Sequence, residues 1–442
     1  MQKIWKKVGL TLGKISLMTA VSLLAVSHGA IADGYDDMAG ECKYITQCSC
    51  TAANSTTTSV LDSVPAYGVL NDWRIGNGTP DYVHPGEAAI GAIGLLYGYH
   101  RLTVAKRSSA DLDGKAKIAL SGFFWSWARN PNNQAGNGFP ATISYNSSYG
   151  VSAKGSGDAR VTAELLIAMW KYTQLSPNGD SGNYQKQEYP RAHAMADFTN
   201  ANLNSWTVDR SYAVASFRCF AKWAAAVGDT GTSTYYTNQA NSISSLLVNA
   251  QDKGNWHTYY DYLDGGGNGL YNSGVDQTGF APYEFDARPE GEQYAKDLAS
   301  WWDHGTAYNG ATLSVQSGPY AGGVHQSTPA AGTNTKVYPG SALQLADAEW
   351  KIAQATGNYH DLYASAWSHY NFARSAFGST TGSGDWVTTA VPDPPFSGGF
   401  IDWVDTSSGS RPATWQRFVD TSSYMIIATE ELSFSSIVDF SS

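Results

Sequence analysis

The sequence predicts an all-α protein, an (α/α)6 barrel in which six helical hairpins close into a toroid. Three observations carry that expectation. Apolar residues recur at three- and four-residue spacing from about Leu61 to the C-terminus, and clean two-residue alternation is scarce, HTYYDYL being the nearest case. A helix–turn–helix unit also returns roughly every fifty to sixty residues, with Trp170 followed by Tyr184, Trp223 by Tyr236 and Trp350 by Tyr363. Stacked hairpins of that kind share one core, and six of them close a ring.

The elements follow in order. Lys3, Lys6, Lys7 and Lys14, the short apolar run ISLMTAVSLLAV and the small residues at Ala30-Ile31-Ala32 read as a secretory signal peptide over residues 1–32. That run is too short to span a bilayer, so the chain from Asp33 is expected to be secreted or periplasmic, with no membrane partner. Residues 33–60 carry Cys42, Cys48, Cys50 and a Ser/Thr-rich tract and read as an N-terminal extension. Disulfides are allowed in an exported chain, and a bridge to Cys219 would pin the extension to the helical body; four cysteines leave three pairings open. Residues 61–442 are expected to form one domain, the (α/α)6 barrel, which would carry any catalytic site. Its helices include 86–103 (GEAAIGAIGLLYGYHRLT), 114–130 (GKAKIALSGFFWSWARN), 157–176 (GDARVTAELLIAMWKYTQLS), 209–229, 341–357 and 423–437.

Composition narrows the partners. The formal charge is −10, and without the four leader lysines it becomes −14, which disfavours nucleic acid and anionic membranes. Only 15% of residues are charged while Gly, Ser, Thr, Asn, Tyr and Trp abound, a surface suited to a neutral polysaccharide or oligosaccharide. A monomer is expected.

Three helices open alike, with a Gly- or Pro-containing loop and then an acid: Glu87, Asp158, and Asp286 just ahead of Pro289. Each acid taken alone reads as a cap or dipole partner, Asp158 after Gly-Ser-Gly above all. Together they suit glycosidic hydrolysis, which needs one protonated carboxyl at the leaving oxygen and one ionised carboxylate to activate water. Glu87 and Asp286 are the candidate pair, from helix starts that a ring could bring to one cleft. Glu290 and Glu292 read as first-turn dipole partners, and Glu284 has no assigned role.

These residues resemble glycoside hydrolase family 8, inverting hydrolases of β-1,4-linked glucans, xylans or chitosan on an (α/α)6 barrel. FDARPEGEQYAKDLASWWDHG looks like the family's Tyr-Asp-Ala-x-Arg-x-Pro stretch, which implies Asp286 as general base; Arg288 and, two residues before the stretch, Tyr283 are expected at the sugar. HPGEAAIGAIGLLYG stands where the family has its general acid and offers Glu87. GDARVTAELLIAMWKY is similar to its sugar-binding helix start, with Asp158, and WQRFVDTSSYMIIATEEL to its closing helix, with Asp420. Arg288 comes one residue early, and the family's Gly-Tyr-Gly-Met run is absent.

Aromatic faces stack on pyranose rings, so Trp73, Tyr145 and Trp403, in Gly-rich surroundings, are expected at subsites, with Asp72 bonding hydroxyls. Trp170, Trp223 and Trp350 lie on helical stripes and read as core. No metalloprotease, phosphate-loop or nucleophile-elbow motif occurs, and no catalytic metal or cofactor is expected. Asp261, Asp264 and Asp276 among glycines offer a structural Ca²⁺ at best, against a plain polar loop. The rival readings are a polysaccharide lyase on a similar toroid, which would want a basic cleft, and a non-catalytic exported glycan-binding or structural protein with the acids as caps.

Overall fold

A computed structural model describes residues 34–42, 45–46, 82–107, 138–145, 151–154, 156–177, 183–252, 258–270, 277–304, 313–325, 335–358, 360–376, 400–401, 403–409 and 417–442. In chain order its helices are α1 (residues 34–42), α2 (Pro85–Val104), α3 (Ala159–Leu175), α4 (Asn183–Asn202), α5 (Thr207–Ala226) and α6 (Thr230–Leu247). They continue with α7 (Gln277–Glu284), α8 (Gln293–His304), α9 (Pro339–Thr356), α10 (Asp361–Ala376) and α11 (Val419–Leu432).

Local chemistry sets the ends. Pro85 and Pro339 open α2 and α9, where a missing N–H costs nothing. Asp158 Oδ1 accepts the Val161 N–H at 3.0 Å, Asp229 Oδ1 accepts that of Thr232 at 3.0 Å, and Gly357 closes α9 at φ +70°.

Helix α2 packs on α3, α3 on α5, α5 on α7, α7 on α9, α9 on α11, and α11 returns to α2. This closed inner ring is the (α/α)6 toroid. Ring helices are covered on both flanks and from outside, so their apolar arc widens; in α2 every residue from Ala88 to Gly98 is buried. Small residues set the spacing: a Cβ on Gly94 would lie 2.3 Å from Ser423 Oγ, which donates to the Ile90 carbonyl where α11 crosses α2. Outside the ring, α4 covers α3 and α5, α6 covers α5, and α10 covers α9 and α11. The helix expected at 114–130 lies outside the described residues.

The described part of the stretch expected as an N-terminal extension packs onto the helical body. Met38, Cys42 and Ile45 are buried in the main core. Cys42 Sγ would touch a Cβ on Gly98 of α2, and Asp37 pairs with Arg374 and bonds Tyr370 of α10. Helix α1 therefore belongs to the outer layer, its apolar residues filling the groove beside α2 and α11. Cys42 and Cys219 are both free thiols, and Cys219 Sγ donates to the Phe440 carbonyl at 3.1 Å, so Cys219 is not the anchor expected. Cys48 and Cys50 lie outside the described residues.

Short strands decorate the barrel. β1 (Tyr82–Val83), β2 (Ile143–Tyr145) and β3 (Val151–Lys154) form one antiparallel sheet, and β4 (Tyr262–Leu263) pairs with β5 (Gly269–Leu270). β6 (Val324–His325), β7 (Lys336–Tyr338) and β9 (Val404–Asp405) form another, while β8 (Phe400–Ile401) pairs with β10 (Arg417–Phe418). β1, β7 and β10 run directly into α2, α9 and α11, which places these strands at the N-terminal rim of the ring.

The opposite rim is crossed by the last ten residues. Trp170 Nε1 donates to the Ser442 carbonyl and Trp350 Nε1 to that of Ser436, both at 2.8 Å, and Lys222 Nζ to that of Ser441 at 2.9 Å. Among the described residues no helix is long and apolar enough to cross a membrane.

Candidate functional site

The first turns of the inner helices open into a cavity of ≈ 390 Å³. Its wall takes His84, Gly86 and Glu87 from α2, Asp158, Arg160 and Glu164 from α3, Tyr212 from α5, Gln344 from α9, and Asp420 and Tyr424 from α11. Parallel ring helices explain the convergence: every N-terminus faces the same rim, and each brings a positive dipole end and short polar residues.

Glu87 is about one-third exposed, with its Oε1 3.8 Å from His84 Nδ1. Asp158 spends Oδ1 on its own cap. Arg160 Nε donates to Glu164 Oε1 at 2.9 Å, and the guanidinium lies 5.0 Å from the Tyr212 ring centre. Burial pushes the Glu164 carboxyl above the ordinary glutamate range, against the pull of Arg160. A Cβ on Gly86 would sit 1.8 Å from Glu164 Oε2, so only glycine leaves room for that carboxyl.

The floor is aromatic. Tyr212 and Tyr424 bring their hydroxyls to 3.5 Å, and Phe285 packs 4.0 Å from the Tyr212 ring and 5.2 Å from that of Phe440. Glu284 lies fully buried beside this floor and accepts from Gln344 Nε2 at 3.0 Å. Burial holds it well above the usual carboxylate range.

Asp286 is at the other end, and this corrects the expected pairing with Glu87. It follows the C-terminus of α7 at φ +53°, its backbone carbonyl bound by Arg218. Its Oδ2 accepts the Phe440 N–H at 2.7 Å and its Oδ1 lies 3.3 Å from Lys351 Nζ. Lys351 is three turns into α9, so Asp286 is about 15–20 Å along the barrel axis from the first turn of α2. The two carboxyls of an inverting glycosidase stand about 6.5–9.5 Å apart. The physical reason is chain polarity. The acid precedes α8, an outer helix, and outer helices begin at the rim where inner helices end.

A second cavity of ≈ 490 Å³ lies there, lined by Arg218, Asp286, Arg288, Glu290, Lys351 and Asp439 among others. Although larger, it is bordered by the C-terminal tail, and several of its charges are committed to one another. Arg288 is one of these: Nε and Nη2 both bind the Glu292 carboxylate and Nη1 the Ser244 carbonyl. Tyr283 is fully buried, donating to Glu292 Oε1 at 2.7 Å and accepting from Tyr259 at 3.2 Å. Neither reaches the N-terminal cavity, so their placement at the sugar is corrected too.

Trp403 lies beside β9 with Lys336 Nζ 3.7 Å above its ring, away from the cavity wall. Tyr145 ends β2, in the sheet that leads into α2. Asp72, Trp73 and Asp276 lie outside the described residues. Asp264 turns its Oδ1 onto the N–H groups of Gly266 and Asn268 in its own loop.

Arg160, Glu164, Tyr212, Gln344 and Tyr424 were not singled out by the sequence. Glu164 had a signal, an Arg-x-x-x-Glu pair one turn into a helix already marked. Asp420 had one as well, an acid directly before the Thr-Ser-Ser that opens α11, yet it entered only through the family resemblance.

No family model matches the chain, and no curated protein matches it in sequence. Solved structures do match its fold. A D-mannose isomerase superposes with TM-score 0.58 at 9% identity, covering 92% of this chain and 97% of its own. A sugar epimerase from a ruminal bacterium gives 0.58 at 9% over 90% and 98%. The glucoamylase of Saccharomycopsis fibuligera gives 0.55 at 10% over 90% and 94%. The chain thus has the six-hairpin toroid that sugar isomerases, epimerases and glucoamylases share.

Proposed function

We propose that this protein is a carbohydrate-active enzyme working at the N-terminal cavity, and specifically a glycoside hydrolase of a β-linked polysaccharide. The observation that carries the reading is the convergence of Glu87, Asp158, Glu164 and Asp420, from three ring helices, on one solvent-open cavity of ≈ 390 Å³. Neighbouring folds that act on sugars support the substrate class. Hydrolysis with inversion assigns Glu87 as the acid that protonates the leaving oxygen and Asp420, in place of Asp286, as the base that activates water. Arg160 and Gln344 bond hydroxyls, with Glu164 holding Arg160 in place. Export by the leader belongs to the same proposal.

The test is reducing-end release from β-glucan, xylan and chitosan. Glu87→Gln and Asp420→Asn should each lower kcat by about 10²–10⁴. Full release by both variants would sink the assignment. A second reading, sugar epimerisation, draws on His84 beside Glu87 at the cavity mouth. It predicts no new reducing ends, but deuterium uptake from D₂O next to the sugar carbonyl.

A further inference from the structure

Away from the cavity, α8, α9 and α10 each send one ionisable side chain to a single buried point: Asp303, Glu349 and His369. We propose that these three residues form a structural binding site for a divalent transition-metal ion of the Zn²⁺ type, completed by the Ser365 hydroxyl.

Geometry supports it first. One oxygen or nitrogen from each residue lies within 4.8 Å of the others. His369 Nε2 is 3.3 Å from Asp303 Oδ1 and 3.7 Å from Glu349 Oε1. Ser365 Oγ is 3.4 Å from both Glu349 Oε1 and His369 Nε2, and bonds Asp303 Oδ1. Donor atoms held tetrahedrally at about 2.0–2.2 Å from one ion stand about 3.3–3.6 Å apart. The His–carboxylate separations are long for charge-assisted hydrogen bonds, which run about 2.7–2.9 Å. A small move of the side chains toward a common centre would satisfy an ion.

The imidazole is also oriented as a ligand. Its Nδ1–H donates to the Gly322 carbonyl at 2.5 Å, which turns Nε2 to the carboxylates. That carbonyl is fixed by a glycine-only turn. Gly322 has φ +88°, and a Cβ there would lie 2.2 Å from the Ser368 carbonyl oxygen. An unmet acceptor gives the third argument. Glu349 is fully buried and its Oε2 has no hydrogen-bond partner, an acceptor an ion would use. The mixed N/O set suits Zn²⁺ or Co²⁺ over Ca²⁺, and would clamp α8, α9 and α10 together.

The experiment strips the full-length chain with chelator, dialyses it against Zn²⁺, and measures metal content and melting temperature. About one ion per chain and a higher melting temperature are expected. Reconstitution with Co²⁺ should give tetrahedral d–d bands without the thiolate charge-transfer band that Cys48 or Cys50 would add. His369→Gln and Glu349→Gln should lose the ion. If either fails to fold, Ser365→Ala decides, because it removes a single hydroxyl from a partly buried side chain and should weaken Zn²⁺ binding at least about tenfold. Metal-free protein after dialysis, or content and affinity unchanged in every folded variant, overturns the site and leaves a proton-bonded His–carboxylate cluster.

Discussion

The buried ammonium of Lys351 sets the sharpest energetic expectation. Its side chain is 2% exposed, with Nζ 3.3 Å from Asp286 and 3.4 Å from Asp347, and it also binds the Glu284 carbonyl. Glu431 faces it as well. Burial works against the charge, yet these carboxylates hold Lys351 well above the ordinary lysine range. Lys351→Met keeps most of the stem's packing but removes the one cation that Asp286, Asp347 and Glu431 share. Removing one partner of a buried ion pair costs about 3–5 kcal/mol. At roughly 2.1 cal/mol/K per residue, 442 residues give an unfolding entropy of about 0.9 kcal/mol/K. The melting temperature should therefore fall by about 3–5 °C, read by calorimetry at neutral pH. Adding Asp286→Asn should return part of the loss, with a coupling of at least about 1 kcal/mol. A melting temperature within about 1 °C of wild type, or additive single and double effects, would refute the network.

Three further expectations follow from packing and charge. Gly98→Ala should cost about 1–3 kcal/mol, because the new Cβ would lie 2.2 Å from Cys42 Sγ; Cys42→Ala in the same chain should return at least half of it, by urea titration. Glu284 keeps its proton in the fold where the unfolded chain has lost it, so its contribution is full below the usual glutamate pKa and declines as pH rises through the raised one. Glu284→Gln should flatten the loss of stability between about pH 5 and pH 8, by at most about 1.4 kcal/mol per pH unit, and an unchanged slope in melts across that range would contradict the assignment. Deleting Ser436–Ser442 removes the carbonyls that receive the Trp170 and Trp350 indoles and Lys222, at about 1–3 kcal/mol for each orphaned donor, and should leave the chain insoluble or melting at least several degrees lower.

How far the sequence reached depended on the range of the signal. Helical periodicity is local, and it placed the ring. The Trp-to-Tyr repeat also marked a real level in the barrel, although its partners were only partly legible. Trp350 does meet Tyr363, at 5.5 Å between ring centres, whereas Trp170 lies 6.0 Å from Trp223 and Tyr184 packs on Tyr172 at 4.8 Å. The indoles of Trp170 and Trp350 bind the C-terminal tail, a partner some 270 and 86 residues away that no periodicity could disclose.

The acids divide along the same line. Glu87, Asp158 and Asp420 open inner helices and reach one cavity; Asp286 has the same local grammar, a turn and Pro before a helix, yet opens an outer one. Inner and outer helices run in opposite directions, so identical starts lie at opposite rims. Deciding between them needs the parity of a helix within its hairpin, and that parity is set by counting hairpins, not by the residues at the start. The count was not at hand there: the Trp-to-Tyr repeat marks α3–α4, α5–α6 and α9–α10 but has no member at α7, which is only eight residues long with Pro282 inside it. Without that short inner helix in the count, nothing local told that α8 is an outer helix, or that Asp420, near the start of the ring's closing helix, faces the same rim as Glu87.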